Sequence, residues 1–267
     1  MSLVRNPSAV DRAGLLTLRR KVSLYAMART TATKPKRAET CATREPLDRR
    51  RIVLAATRIA NAQGTDALSM RVLAAELDVE AMSLYSHFTS KHALLGHMAA
   101  QAIEQIKIPS RTLAPRTRLH RLATDMRRIA QSNPAVFPLV VLHPLDMRAA
   151  ARPVEIALQA FLDAGLSDQR AIRCQRVFLS FLRGYLLWEI GGFTAGRWRS
   201  ADASLRAESF AEIRALDQVE FPETRRLAES FSRISPDQAF ADGLSSVFAT
   251  LLASATTSTA PRTRARP

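Results

Sequence analysis

Three observations predict an all-α protein. Apolar residues make up 47% of the 267 but aromatics only 6%, so the apolar mass is Ala, Leu, Val and Ile, a set that favours helices over sheets. Glycine is scarce, at nine residues, and turn signals do not recur at the close spacing of an all-β chain. Where the chain is periodic, its apolar residues advance by threes and fours, the mark of a helix buried along one face. The length is ample for a real core.

Order begins at Asp48. In "DRRRIVLAATRIANAQG", Ile52, Ala56, Ile59 and Ala60 share one helical face and Gly64 supplies a stop. Ser69 can cap a second short helix, "MRVLAAEL", with Val72, Leu73 and Leu77 inward. Asp78 takes a turn position, Val79 to His87 reads as a third helix, and Ser90 caps a fourth carrying Leu94 or Leu95, Met98, Ala102 and Ile106. Three compact helices and a longer fourth, with a tight turn before the third, outline a helix-turn-helix reader of DNA.

Beyond Pro109 the elements lengthen. Leu119, Leu122, Met126 and Ile129 mark an amphipathic helix that Asn133-Pro134 ends. "AVFPLVVLHPL" contains Pro138 and Pro144, so it reads as a short bent helix. "PVEIALQAFLDAG" is expected to start with Pro153 at its first helical position and to stop at Gly165. Ser167 then caps the longest helix, to about Ile190, with Cys174, Phe178, Phe181, Tyr185 and Trp188 on one face and Leu179, Leu182, Leu186 and Ile190 on the next. So wide an apolar arc wants a second partner. Residues 193–235 are polar and broken, with helical pieces near 203–215 and 222–232. Ser235-Pro236-Asp237 opens a final helix presenting Phe240, Leu244, Val247, Phe248 and Leu251.

The formal charge of +15 is unevenly placed: residues 1–47 carry +7, residues 48–107 only +1, and the last twelve add three arginines. Residues 1–47 and 256–267 read as disordered basic ends, which attract nucleic acid without specifying sequence. Met27 offers an alternative start, leaving open whether residues 1–26 are expressed. Cys41 and Cys174 make neither a disulfide framework nor a metal motif, and no apolar run approaches a membrane span. A cytoplasmic protein is expected.

The stretch "LSMRVLAAELDVEAMSLYSHFTSKHALL", Leu68 to Leu95, resembles the DNA-binding domain of TetR-type transcriptional regulators. Hydrophobic spacing, Tyr-x-His-Phe and the following Ser-Lys all agree. "FLRGYLLWEIGGF" and "FADGLSSVFATLLA" resemble, more generically, the two long helices through which such proteins dimerise. The resemblance implies a helix-turn-helix domain over 48–107, its motif at about 69–88, and an effector-binding and dimerisation domain over 108–255. One departure is Asp78, where the family's turn normally holds glycine; Asp tolerates the left-handed backbone.

Physical reasons accompany each implied contact. Arg71 can reach a phosphate or a guanine edge, and Ser69 opens the same helix. Glu80, Ala81, Met82 and Ser83 open the recognition helix: Ser83 can hydrogen-bond a base, Ala81 or Met82 can pack on a thymine methyl, and Glu80 can accept from cytosine or simply favour the helix N-terminus. Tyr85 and His87 resemble the family's phosphate-contacting pair and Lys91 its phosphate lysine, at a helix start whose N–H groups suit an anion. Such contacts fix register rather than sequence.

The resemblance further implies a homodimer through residues 168–190 and 236–253. Two-fold symmetry then predicts a palindromic operator with half-sites about 34–36 Å apart. A small hydrophobic effector is implied as well, in a pocket drawn from Phe137, Leu142, His143, Met147, Phe181, Tyr185 and Trp188. No cofactor or metal is implied, since the family's metal-binding histidine aligns near Lys107. Repressor or activator, small-molecule or protein control all stay open in the sequence. An α-helical enzyme using His143, Glu155 or Cys174 is a distant alternative, because no motif brings paired catalytic groups together.

Overall fold

The computed structural model describes residues 46–143, 146–191, 211–233 and 235–253. From Leu47 on, they belong to one compact unit, and every regular element among them is a helix. The basic ends and most of the piece near 203–215 lie outside the described residues.

The head is built from α1 (Arg49–Gln63), α2 (Met70–Leu77) and α3 (Ala81–Tyr85). Asp48 caps α1 by accepting the Arg51 N–H at 2.7 Å, and Gly64 closes it at φ 86°. Ser69 caps α2 by accepting from the Val72 N–H. The inward face of α2 is Met70, Leu73, Ala74 and Leu77. Val72 was expected inward but is exposed, because it lies off that i, i+3, i+4, i+7 stripe. Asp78 ends α2 in the left-handed region, φ 54° and ψ 48°. The expected third helix is shorter than Val79–His87. Glu80 stays extended as its N-cap, and the helix ends at Tyr85 with Ser86 as its C-cap.

Helix α4 (Lys91–Glu104), capped by Ser90 accepting the Ala93 N–H, joins head to body. It packs on α1 of the head and on α5 (Pro115–Ser132), α6 (Phe137–Leu142) and α7 (Met147–Asp163) of the body. Arg152 of α7 donates to the Glu104 and Ile106 carbonyls, satisfying orphan acceptors at the C-terminal end of α4. Pro153 does not start α7. Asp146 does, accepting from the Ala149 N–H at 2.9 Å; the Met147–Ala151 run of good helix formers then carries the helix through the proline, which forfeits one backbone bond.

The body core lies where α5, α6 and α7 meet α8 (Asp168–Gly191). Phe137, Phe161, Phe178, Leu182 and Leu186 are fully enclosed there. Two short helices, α9 (Pro222–Arg226) and α10 (Ala228–Arg233), precede α11 (Pro236–Leu252), whose Ser235 cap accepts the Gln238 N–H. Phe240, Leu244, Phe248 and Leu251 turn inward from α11. Gly243 brings α11 so near α8 that an added Cβ would sit 3.1 Å from Phe181 Cζ.

One polar knot interrupts this core. The Glu189 carboxylate of α8, almost wholly buried, receives a fork from Arg127 of α5: Nε at 3.1 Å to both oxygens and Nη2 at 2.7 Å to one. Arg127 also pairs with Asp237 of α11 at 2.8 Å and lies over the Phe240 ring. Its hydrogen bonds to Glu189 push its pKa up despite burial. Three helices are thereby tied at one guanidinium.

Candidate nucleic-acid interface

Helix α3 turns one residue wholly into the core and most of the others to solvent. Leu84 is fully buried and Phe88, just past the helix, nearly so. These two pegs fix the rotation of α3 on the head, and burying Leu84 alone contributes about 2 kcal/mol. Rotation fixed this way leaves Met82 73% exposed and Tyr85 44% exposed, with Ser83 and Ser86 beside them in solvent. An exposed methionine and tyrosine on a short helix make an outward surface with apolar, hydroxyl and aromatic groups together.

Around that surface stand the other expected residues. Arg71 of α2 is exposed, and Ser69 is spent on its own cap. Glu80 is exposed at the start of α3 without a side-chain capping bond, while Ala81 is half-buried and packs on the core. His87 is half-buried, its backbone N–H held by the Leu84 carbonyl. Lys91 Nζ donates to the Thr65 carbonyl at 3.0 Å, so the ammonium is anchored to the α1–α2 connection. Arg49, which the sequence offered only as part of a helix start, lies with its guanidinium 5.7 Å from the Phe88 ring centroid. It is thereby a cation against the peg that follows α3, which no spacing rule could have located.

The seven expected pocket residues do not gather into one group. Phe181, Tyr185 and Trp188 stack in sequence along α8, with Tyr185 also against Phe240 and its hydroxyl donating to the Pro236 carbonyl. Phe137 sits in the core, whereas Leu142 and Met147 are 78% and 83% exposed. His143 meets His92 of α4. An open cleft of about 470 Å³ lies elsewhere, between Lys107–Ser110 and the outer face of α5, and holds none of the seven.

A short exposed helix held by two pegs, behind a left-handed turn and on a helical body, defines a helix-turn-helix protein. Comparison with known proteins makes this specific. Residues 52–98 match the model for bacterial regulatory proteins of the tetR family, and residues 112–254 match the tetracyclin repressor-like C-terminal domain. The chain belongs to the TetR family. A curated relative, the HTH-type transcriptional repressor DrrR1 of Streptomyces coeruleorubidus, is 30% identical over 128 residues, 46% of this chain and 46% of that protein. The match thus spans about half of the relative's length. ActR of Streptomyces coelicolor, solved in complex with actinorhodin, shares the fold with a TM-score of 0.64 at 23% identity, over 79% of this chain and 99% of its own. A possible TetR family transcriptional regulator from Streptomyces coelicolor A3(2) gives 0.66 at 24% identity, over 78% and 100%.

Proposed function

We propose that the protein is a homodimeric transcriptional repressor that reads a palindromic operator with α3 and releases it on binding a small hydrophobic effector. The carrying observation is the outward face of α3, where Met82, Ser83 and Tyr85 are in solvent while Leu84 is sealed. Such a helix can enter a major groove with Met82 and Ser83 at base edges. Tyr85, His87, Arg71 and Lys91 then take backbone phosphates. Arg49 joins them beside Phe88. Lys91 does so with its ammonium already positioned by Thr65.

Support for the dimer comes from α8, where Val177 and Trp188 stand exposed about three turns apart, hence on one side of the helix. The outer face of α11 carries Ala241, Ser245 and Ala249 one turn apart, small enough for a second helix to approach along that line, with Asp242 and Thr250 beside them. For the effector, support is the half-buried aromatic pair Phe181–Tyr185 and the fold shared with ActR, itself solved with actinorhodin bound. Selection from random duplex DNA at near-physiological salt tests the proposal. It should recover a two-fold sequence with the wild-type chain and lose it with Tyr85→Ala or Lys91→Ala; salt-sensitive recovery of arbitrary sequence would reject it.

A further inference from the structure

The C-terminal end of α4 is held on the body by side chains of two helices. Arg152 of α7 donates to the Glu104 and Ile106 carbonyls, and Arg128 of α5 donates to the Gln105 carbonyl at 3.4 Å. Asp125 of α5 accepts the Lys107 N–H at 2.9 Å. Beside this joint lies the open cleft of about 470 Å³ between residues 107–110 and the outer face of α5. Its volume falls within the range of sites that take small organic molecules. None of its walls comes from α8, so it is separate from the aromatic pair of the body.

The lining sorts into three kinds of surface. Ile108, 68% exposed, and Pro109 make an apolar wall, which the methylene stems of Lys107 and Arg121 extend. The hydroxyls are already engaged: Thr124 donates to the His120 carbonyl at 2.9 Å, and those of Ser110 and Thr112 are 2.8 Å apart. The charges decide what the cleft takes. Asp125, the carboxylate of the lining, spends Oδ2 on the Lys107 N–H and has Oδ1 3.7 Å from Arg128 Nε. Arg121 stands one turn before Asp125 on the same face of α5, and Lys107 is tied to Asp125 through its backbone. The exposed ammonium of Lys107 and guanidinium of Arg121 are thus rooted within reach of one shared anion. Charge-assisted hydrogen bonds from both would orient a carboxylate whose remaining atoms lie on the apolar wall.

We propose that this cleft binds a small organic anion, a carboxylate on a flat apolar body, with Lys107 and Arg121 on the carboxylate and Ile108 and Pro109 against the body. A ligand seated there bridges α5 and the segment that leaves α4, and so favours the arrangement in which the end of α4 is held on the body. By linkage, ligand and operator change each other's affinity by one common factor. This regulatory half rests on the repressor reading above; the binding half does not.

The test uses the full chain and 1-naphthoate as the probe, in equilibrium dialysis at low salt, where exposed charges are least screened. Naphthoate should bind one per chain with a Kd of about 1 mM or tighter. Its neutral amide, 1-naphthamide, should bind about tenfold more weakly, and acetate, which lacks the apolar body, more weakly still. Lys107→Gln and Arg121→Gln should each weaken naphthoate about fivefold, and together abolish its binding. Both side chains are exposed and the Lys107 backbone bond to Asp125 survives the change, so the variants should unfold with the wild type. Amide binding as tight as naphthoate, naphthoate binding unchanged in the double variant, or no binding below about 10 mM overturns the site. Titration of the selected operator with and without saturating naphthoate then reads the coupling, expected at about fivefold or more in affinity. An operator whose affinity ignores the probe overturns the regulatory half alone. If no operator is selected, the repressor reading falls and the dialysis still decides the cleft.

Discussion

In the head, α3 turns Leu84 into the core and leaves Met82, Ser83 and Tyr85 in solvent. In the body, α8 does the reverse with its polar chemistry: Glu189 is sealed inside while Trp188 stands exposed. The two regions use the same helical architecture for opposite ends. The head spends apolar burial to hold a polar reading face outward. The body buries an ion pair, at a desolvation cost that burial alone would avoid, and ties α5, α8 and α11 at one point. A surface that must meet a partner is thus set by neighbours in sequence, and a polar knot that positions long helices is set by residues far apart.

Changes in each region should therefore have separable effects. The largest is in the body: Glu189→Ala removes the buried partner of Arg127 and leaves it only the exposed Asp237, which should cost about 3 kcal/mol, seen as a large fall in denaturation midpoint. The paired change of Arg127→Met with Glu189→Leu should recover most of that loss, which would show that the knot serves geometry more than stability. Next is Leu84→Ala in the head, expected to cost about 2–5 kcal/mol and to abolish operator binding by freeing α3. Tyr85→Ala should leave the unfolding midpoint nearly unchanged and weaken DNA binding with the salt dependence of the affinity unaltered, because an uncharged phenol hydrogen-bonds a phosphate without displacing its counterion. The smallest effect belongs to Asp78→Gly. Relief of the left-handed backbone should raise stability by at most about 1 kcal/mol, measured by urea unfolding. A variant of the Arg127–Glu189 pair that altered effector-free DNA affinity while leaving stability untouched would show that the knot acts on the head as well as on the body.

Much of the head was legible in the sequence because its determinants are local. Ser69 and Ser90 each cap the helix they precede, and Asp78 adopts the left-handed turn, as their positions in the sequence suggest. The misreadings there are also local: Val72 lies one position off the buried stripe, and α3 stops short of His87. In the body, helix positions followed from periodicity, but Pro153 misled because a proline marks a first turn only when no stronger cap precedes it, and Asp146 is that cap. Long-range partners left no trace in spacing. Nothing in "ATDMRRIAQ" says that Arg127 will meet Glu189, that Arg49 will lie over Phe88, or that His92 will touch His143. For the same reason spacing does not say which of the seven candidate pocket residues meet: Phe181, Tyr185 and Trp188 run together along α8, whereas His143 meets His92 of α4.

The central claim is that the solvent face of α3 reads sequence. Its most direct test is a titration of purified protein, at near-physiological salt, against the selected duplex and a scrambled duplex of equal length and composition. The account predicts a preference of about a thousandfold or more for the selected site, and a collapse of that preference, with stability intact, when Met82 and Ser83 are both replaced by alanine. Equal affinity for the two duplexes, or a preference indifferent to Met82 and Ser83, would contradict it.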